Sequence, residues 1–310
     1  MDSIDQSRFG EVETRAGYVA LLGYPNAGKS SLLNQLIEQK LSIVTPLPQT
    51  TRERVVGIDT RDDVQMVFID TPGLVDPRYL LHASMLHTAL DSIRDADVVL
   101  LLVDPLQRLP APDEEPFRSL ATAAGKVIAV VNKVDAAEPR EVENARKWAE
   151  DAGFDHRVEV SALAGTGVEE LRRRIRELLP VSPYLYPPDE ISAQPVRFFT
   201  AEFVREAIFE LYKDEVPYSV AVKVEEFRES RAPVYIRAVI FVERASQKGI
   251  LIGAKGAGIR QLGQLARQKI ETFVGEQVYL DLWVKVLPRW RKDPRSLRNL
   301  GYPLPPKSNA

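Results

Sequence analysis

The sequence predicts an α/β chain in two parts: a mainly parallel six-stranded sheet with helices on both faces, then a smaller α+β unit. Three observations predict it. Short apolar runs, such as those at 18–23, 98–103 and 127–131, alternate with helical patterns, the order expected of a sheet covered on both faces. Residues 180–188 hold four prolines in nine positions, which favours a stiff, extended connector. Beyond that connector the rhythm becomes helix, two strands, two helices and a strand.

The first part places strands near 18–23, 55–60, 64–70, 98–104, 126–132 and 157–160. The short turn from Arg61 to Val64 joins two of them closely, so one strand is expected to be antiparallel. The first strand runs into Gly23, Tyr24, Pro25, Asn26, Ala27, Gly28, Lys29 and Ser30, followed by Ser31, a complete G-x-x-x-x-G-K-[ST] phosphate loop. Its amides are expected to cradle phosphates at the N-terminus of a helix carrying Leu32, Leu33 and Leu36. Lys29 is a point charge for the β- and γ-phosphates, and Ser30 offers a hydroxyl to Mg²⁺. This is the strand–loop–helix setting of a P-loop NTPase G domain.

Three further strings follow in order. Gln49-Thr50-Thr51-Arg52 lies in a Pro-punctuated loop, where a threonine hydroxyl can ligate Mg²⁺ only while a γ-phosphate is present, as in a switch. Thr51 is the first choice and Thr50 the second. An apolar strand delivers Asp70, Thr71, Pro72 and Gly73: the carboxylate suits Mg²⁺ and the glycine amide can approach the γ-phosphate. Asn132, Lys133 and Asp135 form a guanine-specific string, because a carboxylate accepts from both N1–H and the exocyclic amine, a donor pair that adenine lacks. The Lys133 stem can cover the base, and the amides of Ser161, Ala162 and Leu163 suit its O6. Lys29, Thr51, Asp70, Gly73 and Asn26 are the candidates for the hydrolytic step.

These motifs resemble those of GTPases related to translation factors, and most closely the bacterial Era family, over roughly residues 17–302. In that branch the resemblance implies that Asn26 helps to hold K⁺ against the phosphates, with carbonyls near Thr45. A departure from the better-known small GTPases bears on mechanism. They carry a water-orienting glutamine after the Asp-x-x-Gly glycine, and here that position is Leu74. Slow intrinsic hydrolysis is therefore expected, stimulated by a partner or a monovalent cation.

Composition agrees. The 310 residues suit two domains, and 45% apolar content supports ordinary cores. There is no cysteine, which excludes disulfides and Cys-based metal or nucleophilic chemistry. The longest aliphatic run, Val98–Val103, is too short to span a bilayer. Residues 1–16 read as a polar, disordered extension and not as a signal peptide, so a cytoplasmic protein is expected, with peripheral membrane contact as an option. The net charge of −3 divides unevenly: residues 1–195 carry 21 Lys+Arg against 31 Asp+Glu, and residues 196–310 carry 20 against 13. An acidic half joined to a basic one is the footprint of a nucleic-acid partner.

The domain plan is then a G domain over 17–180, a Pro-rich linker over 181–195, an RNA-binding domain over 196–287 and a basic tail over 288–310. In the third segment Ile252, Gly253, Ala254, Lys255, Gly256 and Ile259 lie between two helices. A Gly-x-x-Gly loop there resembles a KH domain of the prokaryotic type II, which clamps single-stranded RNA. Lys255 supplies charge, and the two isoleucines offer an apolar floor for bases. The tail adds Arg289, Trp290, Arg291 and Lys292, suited to phosphate contact and base stacking, with a packing role for Trp290 equally open. The three histidines are scattered and read as structural or exposed. No heptad pattern suggests an oligomer, so a monomer is expected.

The two halves imply a GTP-dependent RNA-binding switch. The Era resemblance makes the RNA the 3′ end of small-subunit rRNA, during assembly of the 30S subunit. The rivals are a GTPase whose basic half docks on membrane or protein, and a phosphate-loop ATPase or kinase. Asp135→Asn should exchange guanine for xanthine preference in a nucleotide-binding titration; unchanged GTP affinity would contradict the base-pocket assignment.

Overall fold

The first sheet has the order β2-β3-β1-β4-β5-β6, and the second β7-β8-β9, in a computed structural model that describes residues 13–111, 117, 120, 126–229 and 232–305. Strands β1 (Arg15–Gly23), β3 (Val64–Asp70), β4 (Val98–Val103), β5 (Val127–Val131) and β6 (His156–Glu159) are parallel, and β2 (Val55–Arg61) runs antiparallel to β3. Every residue of β3, β4 and β5 is buried, as apolar runs covered on both faces must be. Helices α1 (Lys29–Ile37), α2 (Leu80–Asp95), α3 (Pro139–Asp151) and α4 (Val168–Leu178) accompany them. Because β1 has β3 on one side and β4 on the other, the chain reverses its direction of travel across the sheet there. The phosphate loop leaves the carboxyl end of β1 at that switch point, where open α/β sheets bind ligands.

Two expectations change. Most of the expected extension, residues 1–12, lies outside the described residues. Its end is strand: β1 begins at Arg15, paired with Val64, because Arg15 and Ala16 continue the ladder with β3. The Pro-rich connector is extended as expected, but it is bound along the sheet edge. Gln65, fully buried, accepts from the Leu185 and Tyr186 amides (2.7 and 2.9 Å) and donates to the Tyr186 carbonyl (2.8 Å). Farther on, the Ile58 amide donates to the Ile191 carbonyl (2.9 Å), and the Val56 amide donates to Gln194 Oε1 (3.0 Å). The connector thus covers the otherwise unpaired edge of β2. Periodicity does not reveal this, since a chain without hydrogen-bonding rhythm of its own takes its partners from the sheet.

The second unit opens with α5 (Val196–Leu211) and the short α6 (Val216–Ser219). Strands β7 (Ala221–Arg228) and β8 (Val234–Val242) are antiparallel, and β9 (Val278–Val286) is parallel to β8. Helices α7 (Ala245–Ile252) and α8 (Ala257–Val274) lie between β8 and β9. The order α-β-β-α-α-β is the one the sequence predicts. One apolar cluster runs from β1 and α1 through Phe203 of α5 to Ile270 of α8, so the two units share a core.

The tail differs most from expectation. Asp293 caps α9 (Pro294–Asn299) by accepting from the Ser296 amide (2.8 Å), with Pro at the first helical position. This turn brings Trp290 inside. The indole is fully buried and donates to the Ser219 carbonyl (2.8 Å), and it stacks on Tyr302 at 5.9 Å. With Leu297 it packs against Leu81 and Met85 of α2. Trp290 is therefore a packing anchor and not a base-stacking group, a correction to its RNA-binding assignment. Arg291 is likewise ion-paired with Glu243 and lies 5.0 Å from the Tyr79 ring, whereas Arg289 and Lys292 are exposed. Trp290→Ala should cost about 3–5 kcal/mol of stability, read by a denaturant melt. A variant as stable as the parent but unable to bind RNA would return the indole to a stacking role.

Candidate nucleotide and RNA sites

The phosphate loop forms because Gly28 has φ 94°, and a Cβ there would meet Asn132 Nδ2 at 2.2 Å. Lys29 follows at the start of α1. It is buried, and its Nζ donates to the carbonyls of Gly23 (3.0 Å) and Tyr24 (2.9 Å). Burial pushes this ammonium down to about 8, against the pull of Asp70. Lys29 is thus pointed along the loop in a cavity of about 390 Å³ lined also by Asn26, Ser30, Ser31, Thr45, Thr51, Gly73 and Lys133.

Behind the cavity wall formed by Ser30 and Thr51, three hydroxyls converge on the carboxylate of Asp70, which does not itself line the cavity. Ser30 Oγ donates to Asp70 Oδ2 (2.7 Å), Ser42 Oγ donates to the same oxygen (2.9 Å), and Thr51 Oγ1 lies 2.9 Å from Ser30 Oγ. Asp70 is fully buried, and burial pushes its carboxyl above the usual range. Its Oδ1 has no hydrogen-bond partner. An orphaned buried carboxylate oxygen beside hydroxyls is a hard, oxygen-only donor set that fits Mg²⁺. One carboxylate is enough where substrate phosphates supply other ligands. Thr50 also lines the cavity, but its hydroxyl turns away from the carboxylate: it donates to the Leu47 carbonyl (2.8 Å) and meets Thr45 Oγ1 (2.7 Å), bracing the loop. The geometry thus separates two threonines that the sequence left open.

The base-recognition string divides by role. Asn132 is buried, donates to the Ala27 carbonyl (2.8 Å) and accepts from the Ala162 amide (3.0 Å). It ties the phosphate loop to the Ser161–Leu163 loop and is a positioning residue. Lys133 reaches Asp104 at 2.7 Å, a partner the sequence reading missed; the only signal was an acid immediately after β4. Asp135 is exposed, with no ion pair among the described residues, and Leu163 is 86% exposed beside the buried Ser161. Neither Asp135 nor Ser161–Leu163 lines the phosphate cavity; Ala162 reaches its frame through Asn132. Thr71 is also a brace, its hydroxyl donating to the Leu21 carbonyl (2.6 Å), which removes it from the nucleotide contacts. Leu74 is buried in the core behind Gly73. Ile43, Val44, Pro46 and Gln49 line the cavity as well and were missed, because an irregular loop has no periodicity to say which side chains face inward.

In the second unit Gly253 (φ 70°) and Gly256 (φ 78°) flank exposed Ala254 and Lys255. A Cβ on Gly253 would sit 2.7 Å from the Gly258 amide, so this turn needs glycine. A groove of about 440 Å³ opens between α8 and β9, lined by Ile259, Arg260, Gly263, Gln264, Arg267, Tyr279, Leu280 and Leu282. Arg260 donates to the Lys255 carbonyl (3.0 Å) and ties groove to loop. Ile252 and Ile259 are both half-buried against the core, but only Ile259 lines this groove. Arg260 and Arg267 were not singled out, although their seven-residue spacing on the helix after the loop was a usable signal.

Known proteins match both units. A family model described as a 50S ribosome-binding GTPase matches residues 18–133, and a KH domain model matches residues 215–291. The chain is 42% identical over 291 residues to GTPase Era of Carboxydothermus hydrogenoformans and to that of Geobacter metallireducens, covering 93% of this chain and 98% of each relative. An Era variant of Aquifex aeolicus bound to GDP and aluminium fluoride superposes with TM-score 0.88 at 38% identity, over 94% of this chain and all of that one. An Era complex with MgGDPNP and nucleotides 1506–1542 of 16S ribosomal RNA gives 0.87 at the same identity and coverage. A phosphate-loop G domain with an oxygen-only Mg²⁺ site, joined to a KH domain, at this identity over nearly the whole length, shows that the chain belongs to the Era family of GTPases.

Proposed function

We propose that the chain is a GTP-hydrolysing switch that binds the 3′ end of 16S rRNA through its KH groove and acts in small-subunit assembly in the cytoplasm. The observation that carries this reading is how the switch loop is held. Arg52, next to Thr51, donates to the carbonyls of Val220 (2.5 Å), Pro217 (3.1 Å) and Tyr218 (3.2 Å) in the KH half. Arg205 of α5 donates to the Thr50 carbonyl (2.6 Å), and Glu206 accepts from the Val44 amide (3.2 Å). Thr51 is therefore held by Ser30 on one side and by the RNA-binding half through both of its chain neighbours. Whatever fixes Thr51 at the nucleotide biases the KH half. The 16S rRNA bound in the related Era complex supports the choice of RNA.

Catalysis here rests on positioning. Mg²⁺, when bound, neutralises charge on the phosphate oxygens. Ser30 and Asp70 would hold it, Thr51 would complete the set from the switch loop, and Lys29 would meet the β- and γ-phosphates. Gly73 presents its amide, and Leu74, in the core, orients no water. Asn26 Nδ2 donates to the Pro46 carbonyl (3.2 Å), which places the asparagine against the switch-loop carbonyls where we assign the K⁺ site. The rival reading, membrane docking through the tail, loses its aromatic anchor because Trp290 is buried. Among the described residues no helix is long and apolar enough to cross a membrane.

Two outcomes are expected. Thr51→Ala should lower GTP turnover at least on the order of 10–100-fold, since losing even a group that only orients metal ligands costs that much. Thr50→Ala should lower it only about fivefold, the worth of one neutral hydrogen bond; the reverse ranking would move the switch threonine. The paired change Gly253→Asp, Gly256→Asp should weaken binding of a 16S 3′-end oligonucleotide by about 100-fold or more, since like charge against phosphate costs several kcal/mol. GTP affinity should stay as in the parent. RNA binding that survives the paired change would contradict the KH assignment.

A further inference from the structure

The KH sheet has a second face, and its side chains are organised by a single carboxylate. β8 and β9 pair Tyr235 with Tyr279 and Arg237 with Asp281, and Trp283 lies two residues farther on the same face. Asp281 Oδ2 accepts from Tyr235 Oη (3.1 Å), Arg237 Nε (3.2 Å) and Trp283 Nε1 (3.0 Å). The polar edges of three flat groups are thus satisfied within the sheet, and their orientation is fixed. Tyr235 and Tyr279 stack at 5.8 Å with an interplanar angle of 13°, and Arg228 and Arg237 lie 5.1 and 5.8 Å from the Tyr235 ring. Tyr279 and Trp283 nevertheless remain 60% and 54% exposed. An indole with its N–H bonded and its ring in water, held in place, is a surface prepared for a planar ligand.

Tyr279 also lines the α8–β9 groove, so groove and outer face are continuous through one ring. We propose that the outer face of β8 and β9 is a second single-stranded RNA surface. Bases leaving the groove stack on Tyr279 and then on Trp283, while Arg228 and Arg237, ion-paired with Glu226 and Asp281, hold the Tyr235 ring beside them. Stacking on aromatic rings beside guanidiniums tolerates any base sequence, so this surface adds affinity and length to the groove's recognition. The inference rests on the RNA-binding reading above.

Trp148 and Trp290 are buried, so tryptophan emission sensitive to a surface ligand comes from Trp283. Emission is read while full-length protein is titrated with a tetranucleotide that fills a KH groove and with a longer strand containing it, both from the 16S 3′ segment. The longer strand should quench Trp283, and the tetranucleotide should not. Trp283→Ala should weaken the longer strand by about 5- to 150-fold, the worth of one stacked base, and leave tetranucleotide and GTP affinity unchanged. Asp281→Asn should give a smaller loss in the same direction. If the longer strand binds no better than the tetranucleotide, or Trp283→Ala binds both as the parent does, the second surface is overturned while groove binding stands. If neither strand binds the parent, the RNA reading itself fails. An emission change seen only with the intact small subunit, and not with either strand, would make this a protein-docking face and overturn the proposal.

Discussion

Two arginines buried at one joint set the constraint on which the rest of the structure depends. Arg52 and Arg205 are almost wholly removed from solvent, at 3% and 2% exposure. A buried guanidinium must have its donors satisfied, and breaking such a pair costs about 3–5 kcal/mol. Arg52 spends its donors on three KH-half carbonyls and lies 5.9 Å from the Trp290 ring. Arg205 divides its two terminal nitrogens between Glu202 and the Thr50 carbonyl, and its buried Nε has no partner. Burial and the neighbouring Glu202 push the Glu53 carboxyl up to about 7. The switch loop cannot leave its place without stripping these two buried guanidiniums of carbonyl acceptors, so its movement is linked to that of the KH half.

The tail extends this constraint. By burying Trp290 it closes the far side of Arg52, and by packing Leu297 on Leu81 and Met85 it joins the KH half to the helix that follows the Asp-x-x-Gly string. Ser84 of that helix also donates to the Pro303 carbonyl. The segment after the switch threonine and the helix after Gly73 therefore meet the same C-terminal structure. The arrangement explains a basic tail that is only partly available to RNA: Arg291 is committed to Glu243, whereas Arg289 and Lys292 face solvent.

The parts legible in the sequence are those whose physics is local. The strand β4, Val98–Val103, is apolar throughout because helices cover both faces, and the phosphate loop is marked by glycines its turns require. The order of elements after the connector was legible for the same reason. What stayed hidden depends on contacts across the chain. Gln65 looks like an ordinary polar residue in a strand, and only the fold shows it holding Leu185 and Tyr186. Trp290 beside arginines reads equally as an anchor or as a stacking ring, and burial by Ser219 and Tyr302 decides it. Thr50 and Thr51 are chemically identical and adjacent, and the direction of each side chain distinguishes them. Thr71 and Asn132 carry motif positions whose side chains turn inward to brace loops.

The coupling between nucleotide and RNA tests the account most directly. RNA affinity is measured for protein loaded with a non-hydrolysable GTP analogue and with GDP, at one salt concentration, in the parent and in Arg205→Met, which keeps the buried volume and removes the charge. The ratio of the two affinities gives the coupling free energy. The account predicts a ratio in the parent of about 5- to 150-fold, the usual range for such coupling, falling toward one in the variant, with GTP affinity nearly retained. A parent ratio of one, or a variant ratio as large as the parent's, would contradict the claim that the buried arginine joint carries the switch.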